Sequence, residues 1–272
     1  MIIFDALFII MIGLILGSFL NVIIYRIPIM LEKKRSFIND FNLFVPRSHC
    51  RNCKKTIKIY QNIPLFSYLF LKGKCANCNH LISVQYPVVE LLTSIFTVHA
   101  FLYFNFSSEL FVILIFIYAL IVISFIDFNH KIIPDSLSLI LLISGLIYSF
   151  ILSSQGGTSF FAEPVDSISG IFMGYCLLFL IYKIHFTLTG KEGLGFGDIK
   201  LLAALGAWIG WKLIPLVLFL AAVFGLIYAL SIMFIKKIDI NESIPFGPFL
   251  GLSAWITLFY NAKILEIVTF FW

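Results

Sequence analysis

Two aspartates far apart in this sequence could together perform acid–base chemistry. Asp127 closes an apolar run in VISFIDFNHKIIPD, and Asp198 follows Gly195 and Gly197 in GLGFGDIK, where another apolar run begins. Ionisable groups at membrane depth are costly and usually functional. When two carboxylates share a site, their repulsion separates the two ionisations, so that one can act as a base on water and the other as an acid on a carbonyl. This is the chemistry of amide hydrolysis without a covalent intermediate.

Each aspartate also has a purely structural interpretation. Asp127 could be a helix-end carboxylate that reaches the headgroups, and Asp198 could be an N-cap that satisfies free backbone N–H groups. Asp135, which follows a proline and precedes an apolar run, fits the N-cap interpretation better than a catalytic one. Gly195 and Gly197 are expected to adopt backbone conformations closed to other residues and to let an extended substrate approach the loop closely.

Four of the five cysteines form a second group with chemical potential. They are spaced as C-x2-C, 21 residues, C-x2-C, at Cys50, Cys53, Cys75 and Cys78. This spacing is typical of a closed, structural zinc site with four sulfur ligands. Two disulfides or free thiols are the alternatives, and a cytosolic location disfavours disulfides. His49 and His80 adjoin the cysteines and could substitute as ligands, whereas Cys176 is expected to be a small core residue.

The rest of the sequence indicates how these groups are positioned. Of its 272 residues, 61% are hydrophobic and 12% charged, which excludes a soluble domain and favours a membrane protein. Since a bilayer core of about 30 Å needs roughly 20 apolar residues, we predict an all-α polytopic fold of about eight transmembrane helices with a zinc-stabilised cytoplasmic loop between the first and second. The predicted segments are 2–25, 87–104, 110–126, 136–153, 167–184, 199–211, 213–235 and 246–262; the sixth is short.

The basic residues predict the orientation of these segments. Eleven of the 19 Lys and Arg lie between Arg26 and Lys74, which places that loop in the cytoplasm and the N-terminus outside. Two segments separate the aspartates, so both are expected near the cytoplasmic face. The net charge of +5 is then an orientation signal and requires no nucleic-acid partner. The predicted domains are a first helix (1–25), a four-cysteine loop (26–86) and a protease domain (87–272).

Seven motifs give the chain a resemblance to a known family over nearly its whole length. They are GSFLNVIIYRIP, PRSHCRNC, NIPLFSYLFLKGKCANC, ISVQYPVVE, DFNHKIIPD, GLGFGDIK and PFGPFL. With these motifs the chain resembles the type IV prepilin leader peptidases, membrane aspartyl proteases of the GxGD type. The resemblance implies that Asp127 and Asp198 are catalytic and that Gly195, Gly197 and Lys200 support the active-site loop.

The family resemblance further implies two activities and their partners. Members remove the basic leader of type IV prepilins and type II secretion pseudopilins at the bacterial inner membrane, then N-methylate the new N-terminus with S-adenosylmethionine. Gly73 and Glu90 are candidate contacts for that methyl donor. Two alternatives stay open: a presenilin-like intramembrane protease, which needs no four-cysteine loop, and a transporter that couples ions to the two aspartates, for which internal repeats would be expected.

Overall fold

The computed structural model describes residues 2–33, 42–154, 160–191, 193–236 and 244–270, and this part of the chain is helical without a β-strand. Short 3-10 turns occupy Ile59–Asn62 and Trp211–Leu213. The predicted all-α fold is confirmed. The α-helices are α1 (Ile2–Lys33), α2 (Phe66–Phe70), α3 (Gln85–Phe104), α4 (Ser108–His130), α5 (Asp135–Ser154), α6 (Pro164–Thr189), α7 (Phe196–Ile209), α8 (Ile214–Lys236) and α9 (Gly247–Phe270).

Each predicted apolar segment coincides with one of the long helices, α1 or α3 to α9. Among the described residues, five stretches are long and apolar enough to cross a membrane: Phe4–Glu32, Gln85–Phe104, Ser108–His130, Pro164–Thr189 and Trp211–Ile235. Helices α5 and α9 contain shorter apolar stretches. Helix α7 has 14 residues, so it is about 21 Å long at about 1.5 Å per residue. That is shorter than a hydrocarbon core of about 30 Å.

The chain divides into two compact units, an N-terminal unit (Met1–Val122) and a C-terminal unit (Ile123–Trp272), with the boundary inside α4. The division of functions predicted at residues 25 and 86 is a different one and stays a prediction. Residues 34–41 of the predicted four-cysteine loop lie outside the described part of the chain.

In the N-terminal unit, α1 packs closely on α3 through two glycines four residues apart. A Cβ added to Gly13 would lie 2.6 Å from Cα of Ser94, and one added to Gly17 would lie 2.7 Å from Cα of Glu90. Small residues at this spacing let two membrane helices approach until their backbones touch, which increases van der Waals contact where lipid supplies no hydrophobic driving force. The sequence around these glycines therefore fixes where Glu90 lies.

Helix α1 continues eight residues beyond its predicted end at residue 25, to Lys33. The basic residue Arg26 suggested a membrane boundary, but its side chain is buried at 5% exposure. The guanidinium Nη1 donates to the carbonyl of Asn42 at 2.7 Å, and Nη2 donates to the carbonyl of Pro46. Arg26 thus anchors the loop, and carbonyl oxygens stabilise its buried charge. The charge pattern of the sequence did not indicate these contacts.

In the C-terminal unit, α7 packs against α5, α6 and α9, and all its residues from Leu201 to Ile209 are buried. Glycines again allow the close packing, because a Cβ on Gly170 of α6 would overlap the carbonyl group of Gly206. The indole N–H of Trp208 donates to the carbonyl of Leu141 in α5 at 2.7 Å. Helix α7 is therefore held on several sides, and its N-terminal turn has a fixed position.

Candidate active site and metal centre

Asp127 lies in the last turn of α4 and is buried at 5% exposure. The backbone N–H of Gly247, the first residue of α9, donates to its Oδ2 at 2.8 Å. The predicted segment ended at residue 126, whereas α4 runs to His130. Asp127 is buried and bonded to the start of α9, which contradicts the interpretation of a helix-end side chain in the headgroups.

Asp198 lies in the first turn of α7, three residues after the N-cap Gly195. Asp198 is therefore not the N-cap, and the backbone N–H of Gly195 approaches its carboxylate instead. The carboxylates of Asp127 and Asp198 are close enough to interact electrostatically. Within the described part of the chain, no group donates a hydrogen bond to the buried Oδ1 of Asp198. The structure thus brings together the two aspartates that the sequence singled out.

The glycines beside the aspartates act through their small size. The expectation of unusual backbone conformations is wrong, since Gly195 has φ −75° and ψ 142°, values open to any residue, and Gly197 has no positive φ. A Cβ on Gly197 would lie 2.8 Å from Cβ of Ile133. One on Gly247 would lie 2.8 Å from Oδ2 of Asp127 and 3.2 Å from Cδ1 of the same isoleucine. Ile133 is therefore wedged between the two glycines next to the carboxylates.

Lys200 forms an ion pair with Asp135 at the start of α5. Its Nζ lies 2.8 Å from each carboxylate oxygen of Asp135, and the two side chains are 46% and 71% exposed. The pair connects the first turns of α5 and α7. Sequence reasoning assigned Lys200 to the active-site loop and Asp135 to a helix cap, and it did not predict that they pair with each other.

The four cysteines Cys50, Cys53, Cys75 and Cys78 form a group that could hold a metal ion. Their Sγ atoms all lie within 4.8 Å of one another, and none of the four is in a disulfide. The sulfurs of Cys50 and Cys78 are 3.8 Å apart. A tetrahedron with metal–sulfur bonds of about 2.3 Å has sulfur–sulfur edges of about 3.8 Å, so the geometry fits a four-thiolate metal site.

Both cysteine pairs have the same turn geometry. The residue after the second cysteine has a positive φ, 59° at Lys54 and 55° at Asn79. Its N–H donates to the carbonyl of the first cysteine, Cys50 or Cys75, at 3.0 Å in both turns. In the second turn, the backbone N–H groups of Asn77 and Cys78 lower the pKa of the Cys75 thiol to about 6. In the first turn the backbone of Lys55 acts in the same direction, but burial and hydrogen bonds with the other thiols raise the pKa of Cys53 to about 11. Neither neighbouring histidine belongs to the metal-binding group.

A cavity of about 470 Å³ lies in the N-terminal unit, lined by α1, the start of α3 and the four-cysteine loop. Glu90 is in its wall, is 7% exposed, and accepts a hydrogen bond from the N–H of Leu65 at 2.8 Å. The Arg51 guanidinium, also in the wall, lies 4.2 Å from the ring centre of Tyr25. Gly73 does not line the cavity; it has φ +68° and packs beneath Tyr68, which does line it.

Comparisons with known proteins agree with this arrangement. A family profile described as the bacterial peptidase A24 N-terminal domain matches residues 11–104, and one described as the type IV leader peptidase family matches residues 114–230. A protein of Stutzerimonas stutzeri is 39% identical over 93% of this chain and 89% of its own length. The chain belongs to the type IV leader peptidase family.

The relatives of this family member carry a two-part name. Those from Stutzerimonas stutzeri, Dichelobacter nodosus and Legionella pneumophila are each called prepilin leader peptidase/N-methyltransferase. The Dichelobacter protein is 38% identical over 95% of this chain and 93% of its own length, and the Legionella protein is 37% identical over 96% and 93%. No solved structure gives a significant match.

The two profiles of the family cover different centres. The N-terminal profile spans the cysteine group and the cavity, and the peptidase profile spans both aspartates. Gly247, which contacts Asp127, lies beyond the residues matched by the peptidase profile. Its motif PFGPFL was noted in the sequence without a role, and only a glycine between Phe246 and Pro248 hinted at close packing.

Proposed function

We propose that this protein is a prepilin peptidase that removes the basic leader from type IV prepilins and type II secretion pseudopilins. The observation that carries the proposal is the meeting of Asp127 and Asp198, two carboxylates that interact electrostatically within the C-terminal unit. Family membership and the names of the relatives support the same substrate class.

The proposed reaction uses the two carboxylates and one water molecule. One carboxylate takes a proton from water, and the water oxygen attacks the scissile carbonyl carbon while the other, protonated, carboxyl donates to the carbonyl oxygen. Collapse of the tetrahedral intermediate breaks the C–N bond, and the proton held by the base passes to the departing amine. The oxygen that received a proton from the other carboxyl returns it as the C=O bond reforms, so both aspartates regain their starting protonation states. The buried Oδ1 of Asp198, with no donor among the described residues, is available to this water. Gly195, Gly197 and Lys200 support the loop around it.

The proposed location explains how the substrate reaches the site. We place the protein in the bacterial inner membrane, with the N-terminus outside and the four-cysteine loop and aspartates toward the cytoplasm. The leader of a prepilin is basic and stays on the cytoplasmic side, while its apolar helix enters the bilayer. The bond between leader and helix then lies at the cytoplasmic interface, where the two carboxylates would meet it.

A second activity is proposed for the N-terminal unit, the transfer of a methyl group from S-adenosylmethionine to the new N-terminal amine. The cavity of about 470 Å³ falls within the range of about 300–1,000 Å³ that small-molecule sites occupy. Glu90 in its wall offers a negative charge to a positively charged donor, and Gly73 supports the wall through Tyr68. The word methyltransferase in the relatives' names supports this activity.

The metal in the cysteine site is proposed to be zinc with a structural role. Four thiolates close the coordination sphere, leaving no position for a substrate. Zinc would hold together a loop whose described helical segments, between α1 and α3, are only four and five residues long. Metal analysis of protein purified under reducing conditions without chelator should find about one zinc per chain. A metal-free, correctly folded protein would contradict the proposal.

One experiment tests both activities. Purified protein in detergent is incubated with a prepilin, with and without S-adenosylmethionine, and the products are identified by mass. We expect leader removal in both samples and one additional methyl group on the mature chain only when the donor is present. Cleavage inside the apolar helix would support a presenilin-like protease instead. No cleavage by folded protein would overturn the peptidase proposal.

A further inference from the structure

The first turn of α9 has one backbone donor directed at the proposed active site. The carbonyl of Phe246 accepts from the N–H groups of Phe249 and Leu250, both at 3.1 Å, and so begins the helix. The first N–H groups of a helix have no partner within the helix. Pro248 has no N–H, which leaves Gly247 as the donor at this end. Its N–H is used by Oδ2 of Asp127 at 2.8 Å.

The electrostatics of this contact favour an ordered carboxylate. A negative charge is stabilised at a helix N-terminus, and a hydrogen bond to an ionised acceptor is about twice as strong as one between neutral groups. Since α9 holds one oxygen of Asp127, the plane of the carboxylate is restricted and the other oxygen is left to react. Both partners are buried, so water does not compete for the bond.

The shape of the contact excludes any side chain at position 247. An added Cβ would lie 2.8 Å from Oδ2 and 3.3 Å from Cγ of Asp127, as well as 3.2 Å from Cδ1 of Ile133. The carboxylate therefore occupies the space that a side chain would need. At Gly225 in α8, by contrast, the atoms nearest to an added Cβ would be ring carbons of Phe246 and Phe249 at 3.5 Å or more, which is ordinary contact.

We propose that Gly247 is a positioning residue for the peptidase reaction, holding the Asp127 carboxylate through its backbone N–H and through the space left by its missing side chain. The inference rests on the proposed function, because it assigns Asp127 to catalysis. A methyl group at position 247 must displace the carboxylate. A misplacement of about 1 Å in a reacting group can cost on the order of 10²-fold in rate.

The test measures kcat and KM for leader cleavage in three variants of the full-length protein in detergent. Gly247→Ala should lower kcat on the order of 10²-fold with KM nearly unchanged, because the added methyl group meets the buried side chains of Asp127 and Ile133. Gly225→Ala is the matched control and should keep the kcat of the unmodified protein. Methylation of a peptide already trimmed to its mature N-terminus, measured in the same preparation, should persist in both.

The third, double variant separates positioning from packing. Ile133→Val removes the Cδ1 atom that an alanine methyl at position 247 would meet, but the contact of that methyl with Asp127 remains. The combination of Gly247→Ala with Ile133→Val should therefore keep the low kcat. Recovery of kcat in the double variant, or a normal kcat in Gly247→Ala, would overturn the inference. Loss of folding in Gly247→Ala and in the double variant would also overturn the inference, since Gly247 would then be a packing residue. Failure of the unmodified protein to cleave would instead overturn the proposed function.

Discussion

The two proposed chemical centres are built on different kinds of structure. The four cysteines of the N-terminal unit lie in two short turns of a loop, each closed by hydrogen bonds between residues at most five positions apart. The two aspartates of the C-terminal unit lie on separate helices, α4 and α7, and the backbone donor to Asp127 comes from a third helix, α9. A local centre depends on a few neighbouring residues, whereas a non-local one depends on the packing of the whole helical unit.

In both units, nevertheless, helices near the proposed centres pack closely through paired glycines. Gly13 and Gly17 bring α1 against α3, and Gly170 and Gly174 bring α6 against α7. In each pair the glycines are four residues apart and touch the backbone of the partner helix. Close backbone approach of this kind is a general source of stability between membrane helices. The two centres therefore differ in where their chemical groups lie: the cysteines are in loop turns between helices, and the aspartates are on the helices themselves.

The largest expected effect is the loss of cleavage on removing either carboxylate. Asp127→Asn and Asp198→Asn should each lower leader cleavage by on the order of 10²–10⁴-fold, the usual contribution of a general acid or base, because one carboxylate cannot serve as both. Methylation of a pre-trimmed peptide should persist if the two centres are independent. Asp135→Asn, an exposed carboxylate nearby, is the control and should change cleavage only a few-fold. Substantial cleavage by either of the first two variants would refute the two-aspartate mechanism.

The second prediction concerns the N-terminal unit and removes one cysteine pair. Cys75→Ser/Cys78→Ser should reduce the zinc content from about one per chain to near zero, because two of four ligands are lost. It should also decrease methylation more than cleavage, since the cavity wall contains loop residues while the aspartates belong to the other unit. Cys176→Ser is the control for both readouts. The prediction that Cys176 is a core residue is wrong, since it lies at an exposed position of α6. Equal loss of both activities with folding intact would show that the centres are not separable.

A smaller effect on stability and activity is expected when a methyl group is added to the contact between α6 and α7 or between α1 and α3. Gly170→Ala places a methyl group against the backbone of α7, and Gly17→Ala places one against Glu90; overpacking of this kind typically costs about 1–3 kcal/mol. Gly170→Ala should reduce cleavage more than methylation, and Gly17→Ala should show the reverse. The measurements are thermal unfolding in detergent and both activities. The same ranking of activities in the two variants would argue against separate centres.

The smallest effect is expected at the Lys200–Asp135 pair. Both partners are exposed, and exposed ion pairs contribute about 0–1 kcal/mol that salt screens further. Lys200→Met should therefore lower the thermal stability slightly at low ionic strength and less at high ionic strength. Cleavage should decrease far less than in Asp127→Asn. A loss as large as that of Asp127→Asn would mean that the ammonium group takes part in the chemistry.

Much of the architecture could be predicted because it depends on local composition. The eight apolar segments coincide with helices, since uninterrupted apolar runs form helices in lipid. Their ends were less predictable: α1 passes through Arg26 to Lys33, and α7 begins before Asp198. Arg26 suggested the first boundary, but distant backbone carbonyl groups accept from its guanidinium and the helix continues. Asp198 suggested the second, but it lies in the first turn of α7, after the N-cap Gly195. A charge pattern alone cannot show such partners.

The sequence by itself determined the groups whose members are close in the chain or whose chemistry is distinctive. The C-x2-C pairs define turns that are closed by neighbouring residues, and Asp127 and Asp198 were recognisable as rare carboxylates beside apolar runs. Only the tertiary structure decided that Gly247 donates to Asp127, that Lys200 pairs with Asp135, and that Gly197 serves the packing of Ile133. These contacts join residues 64 to 120 positions apart. Residues so far apart in the sequence come into contact only when α5, α7 and α9 pack together, and that packing depends on the shapes of many side chains at once.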